Sequence, residues 1–241
     1  MKRIKAENVS KKFMIGFKKN QSALQRFIEL FSGVEPRRVI WAVRDVSVSV
    51  EKGKITALVG KNGSGKSTFL RIVAGIYRQE EGTVDVHGKI LSLISLSAGL
   101  REKMTMQDNV WLCCSLFGLS SSDMRKRFDS IIEFAELEDF LNTKIYQFSE
   151  GMKQRLVFSI AVHCDSDILL LDEIFGVGDI GFRQKSVEKI QELVGQGKSV
   201  LIASHDMNMV ETYCHNAVWL EKGRVRLEGG AKEVVRAYRG H

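Results

Sequence analysis

The chain has one proline, Pro36, and four cysteines among 241 residues. So little proline excludes collagen-like and proline-rich low-complexity classes. Cys113, Cys114, Cys164 and Cys214 form no CxxC pair and have no Cys/His spacing suited to zinc, so they are expected to be buried fillers with reduced thiols. A membrane-length apolar run is also missing. The longest stretch, Val110 to Leu119, is interrupted by Ser115 and Gly118 and is half of the roughly 20 residues a bilayer-crossing helix requires. The opening MKRIKAENVSKKF carries bases without an apolar h-region, which predicts a cytoplasmic chain that does not span a membrane. Acidic residues are the minority: 36 Lys and Arg against 29 Asp and Glu leave a net charge of +7. That excess suits nucleic acid, nucleotide phosphate or anionic lipid, and alone selects none of them. With 44% apolar and 27% charged residues, the composition is that of a folded chain and not of a disordered one.

The order of apolar runs indicates a parallel α/β fold. VRDVSVSV, Val43 to Val50, alternates like an antiparallel strand with one covered face. ITALVG, Ile55 to Gly60, is continuously apolar, as a buried central strand is, and enters a glycine-rich turn followed by the helical pattern KSTFLRIVAGI. DILLLDE, Asp167 to Glu173, and SVLIASH, Ser199 to His205, are further buried strands, with a helix expected from about Phe182 to Val194 between them. Between the strand groups, Phe128, Ile131, Ile132 and Ala135 follow helical spacing behind the cap Ser120-x-x-Asp123, so a helical subdomain is expected at about 98–165. AVWLEKGRVRLEG reads as a hairpin turning at Lys222-Gly223, and AKEVVRAYR as a closing helix. An amphipathic insertion is expected at about 16–38, where Ser22 can cap SALQRFIELF and Leu24, Phe27, Ile28 and Phe31 form a stripe that faces the core or else a membrane or a partner.

The residues that carry chemistry sit at the ends of those strands. GKNGSGKST, Gly60 to Thr68, fits G-x-x-x-x-G-K-[ST], a match that chance would give on the order of once in 100 chains of this length. Its glycines let backbone N–H groups turn inward around phosphate oxygens at a helix N-terminus. Gly60, Lys61, Asn62, Gly63, Ser64, Gly65, Lys66, Ser67 and Thr68 are the candidate ATP-binding residues, with Lys66 a point charge for the β and γ phosphates and the Ser67 hydroxyl a magnesium ligand. Asp172, closing a buried strand, is the second candidate Mg2+ contact. Glu173, next in the chain, is the candidate general base, and His205 the candidate γ-phosphate contact.

In this order the motifs resemble the nucleotide-binding subunits of ATP-binding cassette (ABC) transporters over nearly the whole chain. The resemblance rests on the Walker A loop at Gly60 to Thr68, the signature-like FSEGMKQRL from Phe148, the Walker B strand ending Asp172-Glu173, and the switch histidine in ASHD. It implies one cassette over 1–241, a P-loop NTPase core with an antiparallel β subdomain and an inserted helical subdomain. It also implies a head-to-tail homodimer in which Ser149 and Gly151 of one copy face the γ-phosphate on the other, with Asp179 of GVGD communicating across the dimer. An aromatic is expected against adenine, Phe13 or Trp41, with Phe13 the preferred candidate.

Several departures from the family pattern resemble one branch of it. FSEGM places Glu150 and Met152 where LSGGQ has glycine and glutamine, and LSLISLSAGLREKMT has no loop glutamine, with Ser95 or Ser97 in that neighbourhood. Together with DEIFGVGD and KEVVRAY, these features resemble the cassette subunits of polysaccharide exporters, which move lipid-linked O-antigen, capsule or teichoic-acid chains across the inner membrane. The resemblance implies an ATPase at the cytoplasmic face of that membrane, attached through an integral permease. Its rivals are a soluble ABC-type ATPase acting on nucleic acid and an exporter of another cargo. Against the first, Lys66 and Asp172 leave no room for a coiled coil, and the bases are interspersed with acids.

Overall fold

A computed structural model describes residues 1–15, 38–94, 99–172 and 180–241. The expected amphipathic insertion, Ser95, Ser97, Glu173 and Asp179 lie outside the described residues. Two sheets are present. Strands β1 (Lys2–Ile15), β2 (Arg38–Glu51) and β4 (Glu81–Val86) form an antiparallel sheet in the order β2-β1-β4. Strands β5 (Ile90–Leu93), β6 (Ile168–Asp172), β7 (Ser199–Ala203), β3 (Ile55–Val59), β8 (Asn216–Glu221) and β9 (Arg224–Gly230) form the second sheet in that spatial order. The first five of these strands are parallel, and β9 returns antiparallel.

The unbroken apolar runs follow from burial on both faces. Along β3, Ile55, Ala57 and Val59 belong to one core and Leu58 to the other; β6 divides the same way, Leu169 and Leu171 from Ile168 and Leu170. Successive side chains in a strand point to opposite faces, so a strand with both faces covered favours apolar residues throughout, with Thr56 the buried polar exception in β3.

On one side, helix α1 (Lys66–Val73) lies between the two sheets, packing Phe69, Leu70, Ile72 and Val73 with Leu58 and with Val46, Val48 and Val50 of β2. It stops short of the expected Ile76 because Gly75 takes φ +73, and Ile76 is left exposed. On the other side stand α2 (Met106–Leu116), α3 (Ser121–Ala135) and α4 (Glu150–His163). Thr105 and Asp108 form a capping box on α2, and Ser120 caps α3 by accepting from the Asp123 N–H. Residues Leu156 to Val162 of α4 are all buried, as expected of a helix with core on every side. Helices α5 (Ile180–Gly195), α6 (Met207–Tyr213) and α7 (Ala231–Arg239) complete the fold. The hairpin does turn at Lys222 and Gly223, both with positive φ, as a two-residue turn matched to strand twist requires.

Cys113, Cys114 and Cys164 are buried and Cys214 is half-buried, all four with free thiols. Burial pushes the Cys113 thiol up to about 11 and the Cys214 thiol up to about 12, which keeps both protonated and inert. Among the described residues, no helix is long and apolar enough to cross a membrane.

Candidate functional site

The register of the large sheet gathers the candidate residues at one edge. Ala203 of β7 is paired with Leu58 on one side and Asp172 on the other. The phosphate loop therefore leaves β3, Asp172 ends β6, and His205 lies two residues beyond β7 on the same margin. Carboxyl ends of parallel strands are where open α/β sheets bind ligands.

The loop is braced from behind by backbone. Gly65, at φ +107, is the N-cap of α1, and a Cβ built there would lie 2.4 Å from the Ala42 carbonyl oxygen of β2. Gly223, from the β8–β9 turn, comes to the same oxygen, with its own Cβ position 2.9 Å away. The Gly223 N–H donates to the Ser64 carbonyl at 3.0 Å and the Arg44 N–H to the Gly223 carbonyl at 2.7 Å, tying loop, turn and β2 together. This brace was not readable as such in the sequence, where Lys222-Gly223 signals a hairpin and nothing more. A Cβ at Gly63 would meet nothing within 4 Å, so the middle of the loop is open.

That opening leads into a pocket of about 610 Å3 lined by Asn62 to Thr68, Asp172, Phe13, Trp41, Ile40 and Ala42. Helix α1 begins there with no side-chain cap and no acidic residue in its first turn, so its leading N–H groups and positive dipole end face the pocket without a competing carboxylate. Lys66 is buried, and its Nζ donates to the carbonyls of Gly60 at 2.7 Å and Lys61 at 3.2 Å, which satisfies an ammonium that burial would otherwise penalise. Across the pocket floor, Ser67 Oγ donates to Asp172 Oδ1 at 3.1 Å. A hydroxyl and a carboxylate brought together from two elements are hard oxygen donors of the kind magnesium selects, so this pair fits that ion.

The two aromatics stand at neighbouring rungs of the β1–β2 ladder, Phe13 opposite Ile40 and Lys12 opposite Trp41. Tyr77 meets the Phe13 ring edge-on at 5.5 Å, while Lys12 Nζ and Arg44 Cζ lie 5.6 and 5.5 Å from the Trp41 ring centre. Both aromatics border the pocket.

Ser149 and Gly151 stand elsewhere. Ser149 is the N-cap of α4, its Oγ accepting from the Met152 N–H at 3.2 Å, as its place in the motif leads one to expect. Neither residue, nor His205, lines the pocket of its own chain among the described residues. The sequence also gave no notice of Asp206, which caps α6 and pairs with Arg183 of α5. Ion-pair partners that far apart in sequence carry no local signal.

A doubly covered parallel sheet with a phosphate loop, a carboxylate from the next strand but one and a histidine beyond the strand between them defines a nucleotide-binding cassette. A family model described as ABC transporter matches residues 43–176, and this chain belongs to that family. The O-antigen export system ATP-binding protein RfbB of Klebsiella pneumoniae is 37% identical over 215 residues, 89% of this chain and 86% of that protein. The teichoic acids export ATP-binding protein TagH of Lactiplantibacillus plantarum is 38% identical over 237 residues, 98% of this chain and 64% of that one. Among solved structures, the dimeric structure of a bacterial ABC transporter cassette superimposes with a TM-score of 0.76 at 25% identity, over 95% of this chain and 98% of that one.

Proposed function

We propose that this chain is the ATP-hydrolysing subunit of an ABC transporter that exports lipid-linked polysaccharide, of the O-antigen, capsule or teichoic-acid kind, across the inner membrane. The observation that carries the ATPase reading is the 3.1 Å meeting of Ser67 Oγ and Asp172 Oδ1 beneath an open phosphate loop. The export reading is supported by the names of the Klebsiella and Lactiplantibacillus relatives.

In this reading the loop N–H groups from Asn62 to Ser67 receive the β and γ phosphates, and Lys66 exchanges the Gly60 and Lys61 carbonyls for phosphate oxygens. Ser67 and Asp172 would hold Mg2+, which would supply a counter-charge for the phosphates when bound. Glu173, directly after Asp172, accepts a proton from the attacking water, and His205 contacts the γ-phosphate. Phe13 stacks on adenine, the choice favoured by Trp41 already carrying two cations, Lys12 and Arg44, where Phe13 carries one, Lys11. Ser149 and Gly151, at the N-terminal end of α4, serve the nucleotide of a second copy, where helix N–H groups favour an anion. The chain acts as one cassette in a head-to-tail homodimer, docked on an integral permease at the cytoplasmic face of the membrane.

The test is to delete the gene in its host, restore either the wild type or Glu173→Gln, and assay lipid-linked glycan on both sides of the inner membrane. Glycan should accumulate inside in the deletion and the Glu173→Gln strain and be exported with wild type. Unchanged distribution removes the export reading.

A further inference from the structure

His205 is the exposed member of a short segment whose two flanking residues are each anchored to a different part of the fold. Before it, Ser204 is buried, and its N–H donates to the Leu58 carbonyl of β3 at 3.0 Å, one residue from the end of the strand that feeds the phosphate loop. After it, Asp206 divides its carboxylate between two tasks. Oδ1 accepts the Met209 N–H at 3.0 Å and so caps α6, and Oδ2 accepts from the Arg183 guanidinium, while the Asp206 N–H donates to Ser204 Oγ at 3.1 Å. Arg183 lies in the first turn of α5, the helix that follows residues 173–179. Burial pushes the Asp206 carboxyl up, but the Met209 N–H and the Arg183 guanidinium outweigh it and hold the group below its ordinary value, so the pair stays ionised.

We propose that Arg183 is a positioning residue for ATP hydrolysis: by holding Asp206 against α5 it sets where His205 stands relative to the phosphate loop. The proposal rests on the ATPase reading given above. Two features of the geometry separate this role from simple stabilisation. Capping of α6 uses the other carboxylate oxygen, so the helix keeps its cap when Arg183 is removed. The pair is also partly exposed, with side-chain exposures of 43% and 31%, and exposed pairs contribute little to folding. What Arg183 adds is a fixed link from the histidine segment to α5, alongside the backbone link to β3. Small displacements of a group that touches the reacting phosphate cost turnover more than binding.

The experiment measures kcat, KM and nucleotide affinity of the full chain for wild type, Arg183→Ala, Arg183→Lys, Asp206→Asn, His205→Ala and the Arg183→Ala/His205→Ala double variant, with thermal unfolding of each. Arg183→Ala should lower kcat about tenfold, with nucleotide affinity and unfolding midpoint held near wild type. Asp206→Asn, which keeps an oxygen for the Met209 N–H and loses the ion pair, should match it, and Arg183→Lys should recover part of the rate. The double variant should be no slower than His205→Ala alone, because Arg183 acts only through that residue. Losses that multiply in the double variant, or an Arg183→Ala enzyme as fast as wild type, overturn the positioning role and leave the ATPase reading intact. A wild-type chain that does not hydrolyse ATP overturns the ATPase reading, and this inference with it.

Discussion

Lys66 donates to the Gly60 and Lys61 carbonyls of its own loop, and phosphate must compete with them. A charge-assisted contact of this kind is worth about 1.5–3 kcal/mol, so Lys66→Ala should weaken ATP binding about 10- to 100-fold in an equilibrium titration. Glu173→Gln keeps shape and hydrogen bonding and loses the basic oxygen. Turnover should fall about 10^2- to 10^4-fold in a phosphate-release assay, while nucleotide affinity is preserved. At this scale the sequence was informative where function needs a local pattern. Gly60 to Thr68 is a contiguous string whose backbone does the binding, and it was legible without coordinates. The sequence preferred Phe13 to Trp41 but did not show their surroundings, Tyr77 and Lys11 at the Phe13 ring and Lys12 and Arg44 at the Trp41 ring.

The start of α3 was legible because its cap is written within one turn, in Ser120-x-x-Asp123. Ser149→Ala removes the acceptor of the Met152 N–H and should cost about 1 kcal/mol in denaturant unfolding. The strands of the antiparallel sheet were harder to read. In β1 the buried residues are Ile4, Ala6, Val9 and Ser10, an alternation that loses phase at Asn8, where φ is +52 and the register slips. Strand β4 buries no residue fully and so offers no apolar signature.

The C-terminal end of α4 carries a pH dependence of its own. Burial holds the His163 ring, packed beside Phe134 with Nδ1 2.7 Å from the Ser159 carbonyl oxygen, below its ordinary value of 6.5. The folded state therefore binds this proton less readily than the unfolded chain. Its contribution is intact above pH 6.5 and lost as pH falls through the lowered folded value. Thermal midpoints measured from pH 7.5 down to about 5 should fall, and His163→Gln should flatten that slope.

For the molecule as a whole, Ser149 and Gly151 at the start of α4 do not line the nucleotide pocket of their own chain among the described residues. If Ser149 and Gly151 complete the pocket of a partner copy, Glu173→Gln should form a dimer on addition of ATP and dissociate on its removal, measured by light scattering. A monomer at saturating ATP would sink the sandwich arrangement. The parallel sheet was legible from its apolar runs because both faces are covered, and the order β5-β6-β7-β3-β8-β9 was not, since pairing of distant strands leaves no mark on neighbouring residues.

The Ala42 carbonyl oxygen, pressed on by Gly65 and Gly223, has an implication for how this sequence can vary. The crowding atom belongs to the main chain, so it is present whatever side chain stands at position 42. No substitution there can make room for a Cβ at either glycine. In a saturation library, positions 65 and 223 should therefore both select glycine, position 65 the more strictly because its Cβ would lie 2.4 Å from that oxygen against 2.9 Å at position 223, and no change at position 42 should relax either.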